Sequence, residues 1–241
     1  MKIIYTLVEV FVMNEKIYIA EDEAGIRETV KTFLESEGYQ VEGFMNGDLL
    51  YDRFLEEPCD LCILDVLMPG STGFQITKKI RDISSVPIII LTARDSDIDY
   101  ATGINLGSDD YFTKPFSAIS LVMRVKAMLR RVQLDKSDRA VDTEEKVTYG
   151  DVTINRKTMK VTAGGSEVDL TPSEYNLLLY LAENRDRAVS RDELLDKIWG
   201  YGKDIETRAC DDTVRRLRKK LQGSKVKVET VWGFGFTLKE E

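Results

Sequence analysis

The 241-residue sequence contains no histidine. That absence removes Ser/His/Asp and Cys/His catalytic sets and any imidazole-ligated metal, and any phosphohistidine chemistry must use a histidine supplied by a partner. Cysteine is scarce as well. Among the three, Cys59 and Cys62 have C-x-x-C spacing, but without a second pair or a histidine they complete no zinc site, and so few cysteines cannot staple a secreted framework. With Cys210 they read as small, reduced core residues of a cytoplasmic protein. The first twelve residues, MKIIYTLVEVFV, hold one early lysine, a glutamate inside the apolar run and no small-residue cleavage site. They make a poor signal peptide and are too short to span a bilayer. Met13 begins a more ordinary start, so residues 1–13 are read as a non-native or upstream-start extension, although their β-branched content would also suit an added strand.

What is present is a well-mixed globular composition, 43% hydrophobic and 32% charged, long enough for two domains. The net charge of −8 is uneven. Residues 1–134 carry 14 Lys and Arg against 21 Asp and Glu, whereas residues 135–241 carry 20 against 21. Within the latter, the window Arg208 to Lys227 has eight basic residues and only Asp211 and Asp212 against them, a small footprint for a polyanion.

From Lys16 onward, short apolar runs alternate with amphipathic stretches. Strands are predicted at Ile17–Ala20, Gln40–Phe44, Leu61–Leu64, Ile88–Leu91 and Tyr111–Thr113, and helices from near Ala24, Gly47, Gly73, Asp97 and Ser117. The first helix has Ile26, Val30, Phe33 and Leu34 on one stripe and Gly38 as its terminator. Five strands alternating with five helices predict a parallel, doubly wound α/β sheet over residues 14–132. The charged segment 133–146 loses this periodicity and reads as a linker.

In residues 147–241 the pattern changes. Short alternating segments around Gly164-Gly165 predict an antiparallel sheet, and capping boxes at Thr171-Pro172-Ser173-Glu174 and Ser190-Arg191-Asp192-Glu193 start two helices. A third helix runs from about Arg208 to Leu221, with Cys210, Val214, Leu217 and Leu221 inward and Arg208, Asp212, Arg215, Arg216 and Lys219 on the other side. A hairpin around Trp232-Gly233 ends the chain.

Functional groups of an open parallel sheet gather beyond the carboxyl ends of its strands. Glu21 and Asp22 follow the first apolar run, Asp65 the third, Thr92 the fourth and Lys114 the fifth. Any one of them is explained as a cap or a solvated residue; five suitable residues at four strand ends are not. Three carboxylates repel one another unless a hard cation such as Mg²⁺ lies between them, and the lysine adds a positive charge for a phosphoryl oxygen.

The motifs IYIAEDE (17–23), LDVLMPG (64–70), LTAR (91–94) and DDYFTKPF (109–116) resemble those of the receiver domain of two-component response regulators. LTPSEYNLLLYL (170–181), SRDELLDKIW (190–199), TVRRLRKKL (213–221) and TVWGFGF (230–236) resemble the winged helix-turn-helix effector domain of the OmpR/PhoB branch. The resemblance implies a flavodoxin-like (βα)5 receiver followed by an α+β winged-helix domain. It also implies that Asp65 accepts a phosphoryl group from a sensor histidine kinase, with Mg²⁺ bound by Asp22, Asp65 and the Leu67 carbonyl and by Glu21 directly or through water. Lys114 would pair with the phosphoryl group, Thr92 would hydrogen-bond it and Tyr111 would turn inward. Glu21 stands where the family more often has Asp.

In that branch the active receiver dimerises through its fourth helix, fifth strand and fifth helix. Asp109, Asp110, Arg124 and Arg131 match the charged pattern, while Tyr100 and Ser120 replace both halves of one salt bridge. The third effector helix would enter the major groove of paired half-sites in double-stranded DNA, arranged as direct repeats. Arg215 and Arg216 would reach bases or phosphates there, and Arg208, Arg218 and Lys219 mostly phosphates. Asp212 and Thr213 depart from the commoner residues of that helix, and Trp232 stands at a wing position where relatives often carry an arginine. RNA polymerase is a further partner of such regulators. Two alternatives stand beside this reading. One is a winged-helix regulator that acts without phosphorylation. The other is an aspartate-nucleophile phosphatase, which would need a second acid where the chain has Leu67. The receiver is expected to catalyse only its own phosphoryl transfer and slow hydrolysis.

Overall fold

The computed structural model describes residues 15–93, 107–138, 145–201 and 207–241. The N-terminal extension, Arg94, Tyr100 and the helix expected from near Asp97 lie outside the described residues.

Strands β1 (Lys16–Ala20), β2 (Gln40–Phe44), β3 (Leu61–Asp65), β4 (Ile88–Ala93) and β5 (Asp110–Lys114) form one parallel sheet in the order β2-β1-β3-β4-β5. This is the flavodoxin-like doubly wound order, whose switch point lies between β1 and β3. The pleat sorts the apolar runs to two sides. Ile17, Ile19, Leu61, Ile63, Ile89 and Leu91 join one core, while Tyr18, Ala20, Cys62, Leu64, Ile88 and Ile90 join the other. Both faces are covered, which is why the central strands read as continuous apolar runs.

Helices α1 (Ala24–Ser36) and α4 (Ala118–Asp138) share contacts on the first side, and α2 (Gly47–Glu56) and α3 (Gly73–Arg81) on the second. Helix α1 buries Val30 and Leu34 but leaves Phe33 40% exposed, at the edge of the predicted stripe. It ends as expected at Gly38, whose positive φ of 94° suits a residue without a Cβ. Helix α4 continues to Asp138, into the segment expected to be linker.

The second part opens with an antiparallel sheet of β6 (Lys146–Tyr149), β7 (Val152–Asn155), β8 (Val161–Ala163) and β9 (Ser166–Val168). Helix α5 (Pro172–Glu183) starts with a complete Thr171/Glu174 capping box. The second box is half made: Ser190 accepts from the Glu193 amide, but the Glu193 side chain instead binds Tyr180 and Arg187. Helix α6 (Arg191–Leu194) runs directly into a π-helical turn (Leu195–Trp199), which Gly200 closes at φ 69°. Helix α7 (Ala209–Lys220) is followed by β11 (Val226–Val231) and β12 (Gly235–Glu240). The hairpin gains a third strand, β10 (Val189–Ser190), on the free edge of β12. Among the described residues no helix is long and apolar enough to cross a membrane.

Candidate functional sites

The carboxyl edge of the parallel sheet brings the predicted acidic residues together. Glu21 follows β1 and is fully buried, Asp65 ends β3 and is 5% exposed, and Asp22 is exposed beside them. Carboxylate oxygens of the three lie within 4.8 Å of one another. From the end of β5, the Lys114 ammonium reaches Glu21 Oε2 at 2.7 Å and Asp65 Oδ2 at 3.0 Å. Burial pushes the pKa values of Glu21 and Asp65 above the usual carboxylate range, opposed by the hydrogen bonds from Lys114. Burial would lower the Lys114 pKa, but its bonds to the two carboxylates outweigh that and raise it. The cluster is therefore short of positive charge even with the lysine present. An all-oxygen donor set in a desolvated corner fits a hard divalent cation.

The backbone here is crowded. A Cβ on Gly73 would stand 2.1 Å from the Asp65 carbonyl oxygen, so only glycine lets α3 begin directly against the end of β3. The loop between them, which carries exposed Leu67, is tied down by Asp48 at the start of α2. Asp48 accepts from the Ser71 amide at 2.9 Å, the Ser71 hydroxyl at 2.6 Å and the Lys79 ammonium at 3.2 Å. Those Ser71 hydrogen bonds hold the Asp48 carboxyl below its usual range. Sequence reasoning missed this latch because its partners are 23 residues apart, without a recognisable spacing. Thr92 is half-buried on β4, its hydroxyl donating to the Ala93 carbonyl at 3.2 Å.

Tyr111 is not turned toward the carboxylates. Its phenol lies beside Ser108 and senses the charges of Arg216, Asp212 and Arg215 on α7, with burial the leading cause of its raised pKa. The face formed by β5 and α4 is occupied by the second part of the chain. Asp109 accepts from Arg81 Nη2 at 2.6 Å, the Ile88 amide at 2.9 Å and the Ser173 hydroxyl at 2.6 Å. Its carbonyl accepts from Trp199 Nε1 at 3.1 Å. Asp110 pairs with Arg124 at 2.8 Å and also accepts from Tyr201 and Thr207. Asp109, Asp110 and Arg124, expected at the dimer interface of the active receiver, are all buried within one chain in this structure. Arg131 lies on α4, with its side chain outside the described residues, and Ser120 is exposed.

On α7 the expected polar face divides in two. Arg208, Arg215, Arg218 and Lys219 are exposed. Asp212, Thr213 and Arg216, expected among the DNA-binding residues, are buried in this structure. Arg216 is held by Glu174 Oε1 at 3.0 Å and by the Thr213 hydroxyl at 3.1 Å, and Lys220 takes the second Glu174 oxygen at 2.6 Å. Glu174 has no solvent exposure, so these two cations neutralise a charge that burial would otherwise make costly. Arg218 braces β11, donating to the Val228 carbonyl and the Thr230 hydroxyl, both at 2.8 Å. Trp232 stands at the hairpin tip, 92% exposed. The cysteines are free and buried, as expected of core residues.

Comparison with known proteins agrees with this division of the chain. Residues 17–126 match the family described as "Response regulator receiver domain", and residues 165–238 the family "Transcriptional regulatory protein, C terminal". The chain is 41% identical over 228 residues to the "Uncharacterized transcriptional regulatory protein YclJ" of Bacillus subtilis (strain 168), covering 94% of this chain and 100% of that one. It is 38% identical to the "Transcriptional regulatory protein ResD" of the same organism, with 92% and 94% covered. Among solved structures, a cysteine-to-serine mutant of RitR matches with a TM-score of 0.75 at 25% identity, covering 95% of this chain and 100% of that one. DrrB of Thermotoga maritima, an OmpR/PhoB homologue, matches with a TM-score of 0.50 at 28% identity, covering 94% and 100%. With a receiver at its start and a winged-helix DNA-binding domain at its end, the chain belongs to the OmpR/PhoB family of response regulators and is a phosphorylation-dependent two-component transcription regulator.

Proposed function

We propose that Asp65 is the phosphoacceptor and that its modification frees the second domain to bind DNA. The observation that carries this reading is the convergence of Glu21, Asp22 and Asp65 within 4.8 Å, with Lys114 bridging two of them. An Asp65 oxygen attacks the phosphorus of a kinase phosphohistidine. A P–O bond forms as the P–N bond breaks, and the electron pair leaves on the partner's imidazole, since this chain has no histidine. Lys114 supplies a fixed positive charge to the transferring phosphoryl oxygens, and its Glu21 and Asp65 contacts orient it for that task. Mg²⁺, held by Glu21, Asp22, Asp65 and the Leu67 carbonyl, would neutralise further phosphoryl charge. Slow hydrolysis of the aspartyl phosphate is assigned to the same residues.

The new phosphoryl group gives the Thr92 hydroxyl an acceptor, and Tyr111 turns inward behind it, leaving Asp212, Arg215 and Arg216. That change weakens the docked arrangement and exposes Asp109, Asp110 and Arg124 for a second copy. The resulting cytoplasmic dimer binds paired half-sites, where RNA polymerase can be met. Incubation with Mg²⁺ and acetyl phosphate, followed by intact mass and a sizing column, tests this. A phosphoryl adduct in wild type but not in Asp65→Ala, together with a larger species, is expected. A folded protein that takes no adduct yet binds DNA would instead support the phosphorylation-independent regulator.

A further inference from the structure

Cys59 and Cys62 belong neither to the acidic cluster nor to the docked face, yet their sulfurs lie 3.4 Å apart. Cys62 is locked into β3. It pairs in register with Tyr18 on one side and Ile88 on the other, and its amide donates to the Pro87 carbonyl at 2.9 Å. Cys59 stands outside the ladder, in the short connection 57–60 between α2 and β3, and is 9% exposed where Cys62 has no exposure. The partner not held by the sheet is thus also the one that solvent reaches. Hydrogen positions follow from the contacts. The Cys59 thiol donates to the Leu61 carbonyl at 3.3 Å. A thiol has a single hydrogen, so the one between the sulfurs belongs to Cys62, and the Cys59 sulfur accepts it. When Cys59 ionises, that contact steadies its thiolate. Burial, and then the Cys59 contact, push the Cys62 thiol well above its ordinary range, so Cys62 keeps its hydrogen. The third cysteine, Cys210, is also buried but lies on α7 in the other domain.

We propose that Cys59 and Cys62 form a reversible dithiol–disulfide site in the receiver, oxidised by a hydroperoxide, with Cys59 attacking and Cys62 resolving. The Cys59 thiolate attacks the terminal oxygen of the hydroperoxide. An S–O bond forms as the O–O bond breaks, and the departing alkoxide or hydroxide takes up the proton that Cys59 released. The Cys62 sulfur then attacks Cys59. The S–S bond forms as the S–O bond breaks, and the Cys62 hydrogen leaves with the hydroxide as water. The two thiols lose two electrons and two hydrogens, and the peroxide takes both. Closing the sulfurs to the disulfide length of about 2.05 Å needs a shift of Cys59 and its connection alone, with β3 unmoved. A buried thiol by itself is inert, but a resolving sulfur already in contact turns each exposure of Cys59 into a stable product. Disulfides of reducing compartments are mostly transient ones of this kind. The bond ties the exit of α2 to the strand that ends in Asp65, three residues beyond Cys62.

The test uses the full chain, reduced and then freed of reductant, with hydrogen peroxide as the probe. After catalase ends the reaction, remaining thiols are alkylated in denaturant, and mass is read on the intact chain and on the tryptic peptide 54–78, which holds both cysteines. Alkylated thiols are expected to fall from three to one, with peptide 54–78 lighter by two hydrogen atoms, Cys210 still a thiol, and dithiothreitol restoring the starting count. Cys62→Ala keeps the attacking thiol and removes the resolving one, so dimedone should label Cys59 there as its sulfenic acid. In Cys59→Ala, Cys62 should remain a thiol. The wild-type time course decides the matter even where a variant does not fold. Retention of all thiols by the native chain at a peroxide concentration that oxidises a urea-unfolded sample overturns the proposal. So does loss of Cys210 at the same rate, or a disulfide that joins two chains in place of the one within peptide 54–78. A folded Cys62→Ala that takes no dimedone overturns the assignment of Cys59 as the attacking sulfur, and the proposal with it.

Discussion

The Tyr201 hydroxyl donates to the Asp110 carboxylate, 91 residues earlier in the chain. Arg124 joins the pair, donating to Asp110 at 2.8 Å and lying 5.6 Å from the centre of the Tyr201 ring. Burial, and then the Asp110 charge, push the Tyr201 phenol well above its ordinary pKa, so it remains a donor across the working pH range. A carboxylate so enclosed cannot serve a second copy of the chain at the same time. Docking of the second domain and the proposed pairing of receivers through this face would exclude each other.

Tyr201→Phe removes one hydrogen bond to a charged group from the docked state and nothing from the open one. Such bonds are worth about 1.5–3 kcal/mol. The unphosphorylated variant is expected to bind DNA about tenfold more tightly than the unphosphorylated wild type. Titration of labelled duplex with each protein checks this, and equal affinities would mean that docking does not limit binding.

Glu21 and Asp65 both ionise above their ordinary values, chiefly through burial. For an acid with a raised folded pKa, the favourable contribution is complete below the unfolded value and is lost as pH rises through the folded one. Lys114, also raised, keeps its contribution up to the ordinary lysine range and loses it above. Metal-free Asp65→Asn should therefore be more stable than wild type at neutral pH by on the order of 1 kcal/mol, a familiar trade of stability against function. The gain should fade as pH falls through the carboxylate range. Urea unfolding in chelator at several pH values decides it; destabilisation at neutral pH would show that the Lys114 pair outweighs desolvation.

Asp48→Ala frees the loop after β3 without touching the acidic cluster. Groups that position metal ligands usually change affinity about 10- to 100-fold. We expect about tenfold more Mg²⁺ to be needed for half-maximal phosphorylation, with little change in unfolding. A wild-type Mg²⁺ titration would remove Asp48 from the machinery.

Arg216→Ala leaves Glu174 buried with Lys220 as its remaining ion-pair partner. Breaking a buried pair from one side costs about 3–5 kcal/mol, whereas exposed Arg215→Ala should change stability by less than about 0.5 kcal/mol. Thermal unfolding separates the two. Equal midpoints would show that the Arg216–Glu174 pair adds little to stability.

The carboxyl-edge site was legible because four of the five strands are apolar runs followed by a polar residue at the edge of the sheet, so Glu21, Asp22, Asp65, Thr92 and Lys114 follow from strand positions alone. Thr171 and Glu174 were legible as a cap, but the hold of Glu174 on Arg216 was not, since it depends on how α5 and α7 cross. The same limit explains α7. Its apolar stripe is local information, but which polar flank is buried depends on neighbours, and Asp212, Thr213 and Arg216 fall on the covered flank. Asp109 and Asp110 were assigned by resemblance to a face between copies. Nothing local announces Trp199 and Tyr201 as their occupants.

The π-helical turn Leu195–Trp199 places that aromatic pair by winding rather than by composition. A π-turn holds one residue more than an α-turn, and each residue of a helix advances the next by about 100°. Deleting one residue there would swing Trp199 away from the Asp109 carbonyl while retaining nearly every side chain. A Cβ on Gly200 would also stand 3.2 Å from the Ala127 carbonyl oxygen, leaving the following segment little freedom to compensate. The coupling between the two halves is thus a matter of angular phase, which a one-residue change in length can cancel or restore with the chemistry of the interface untouched.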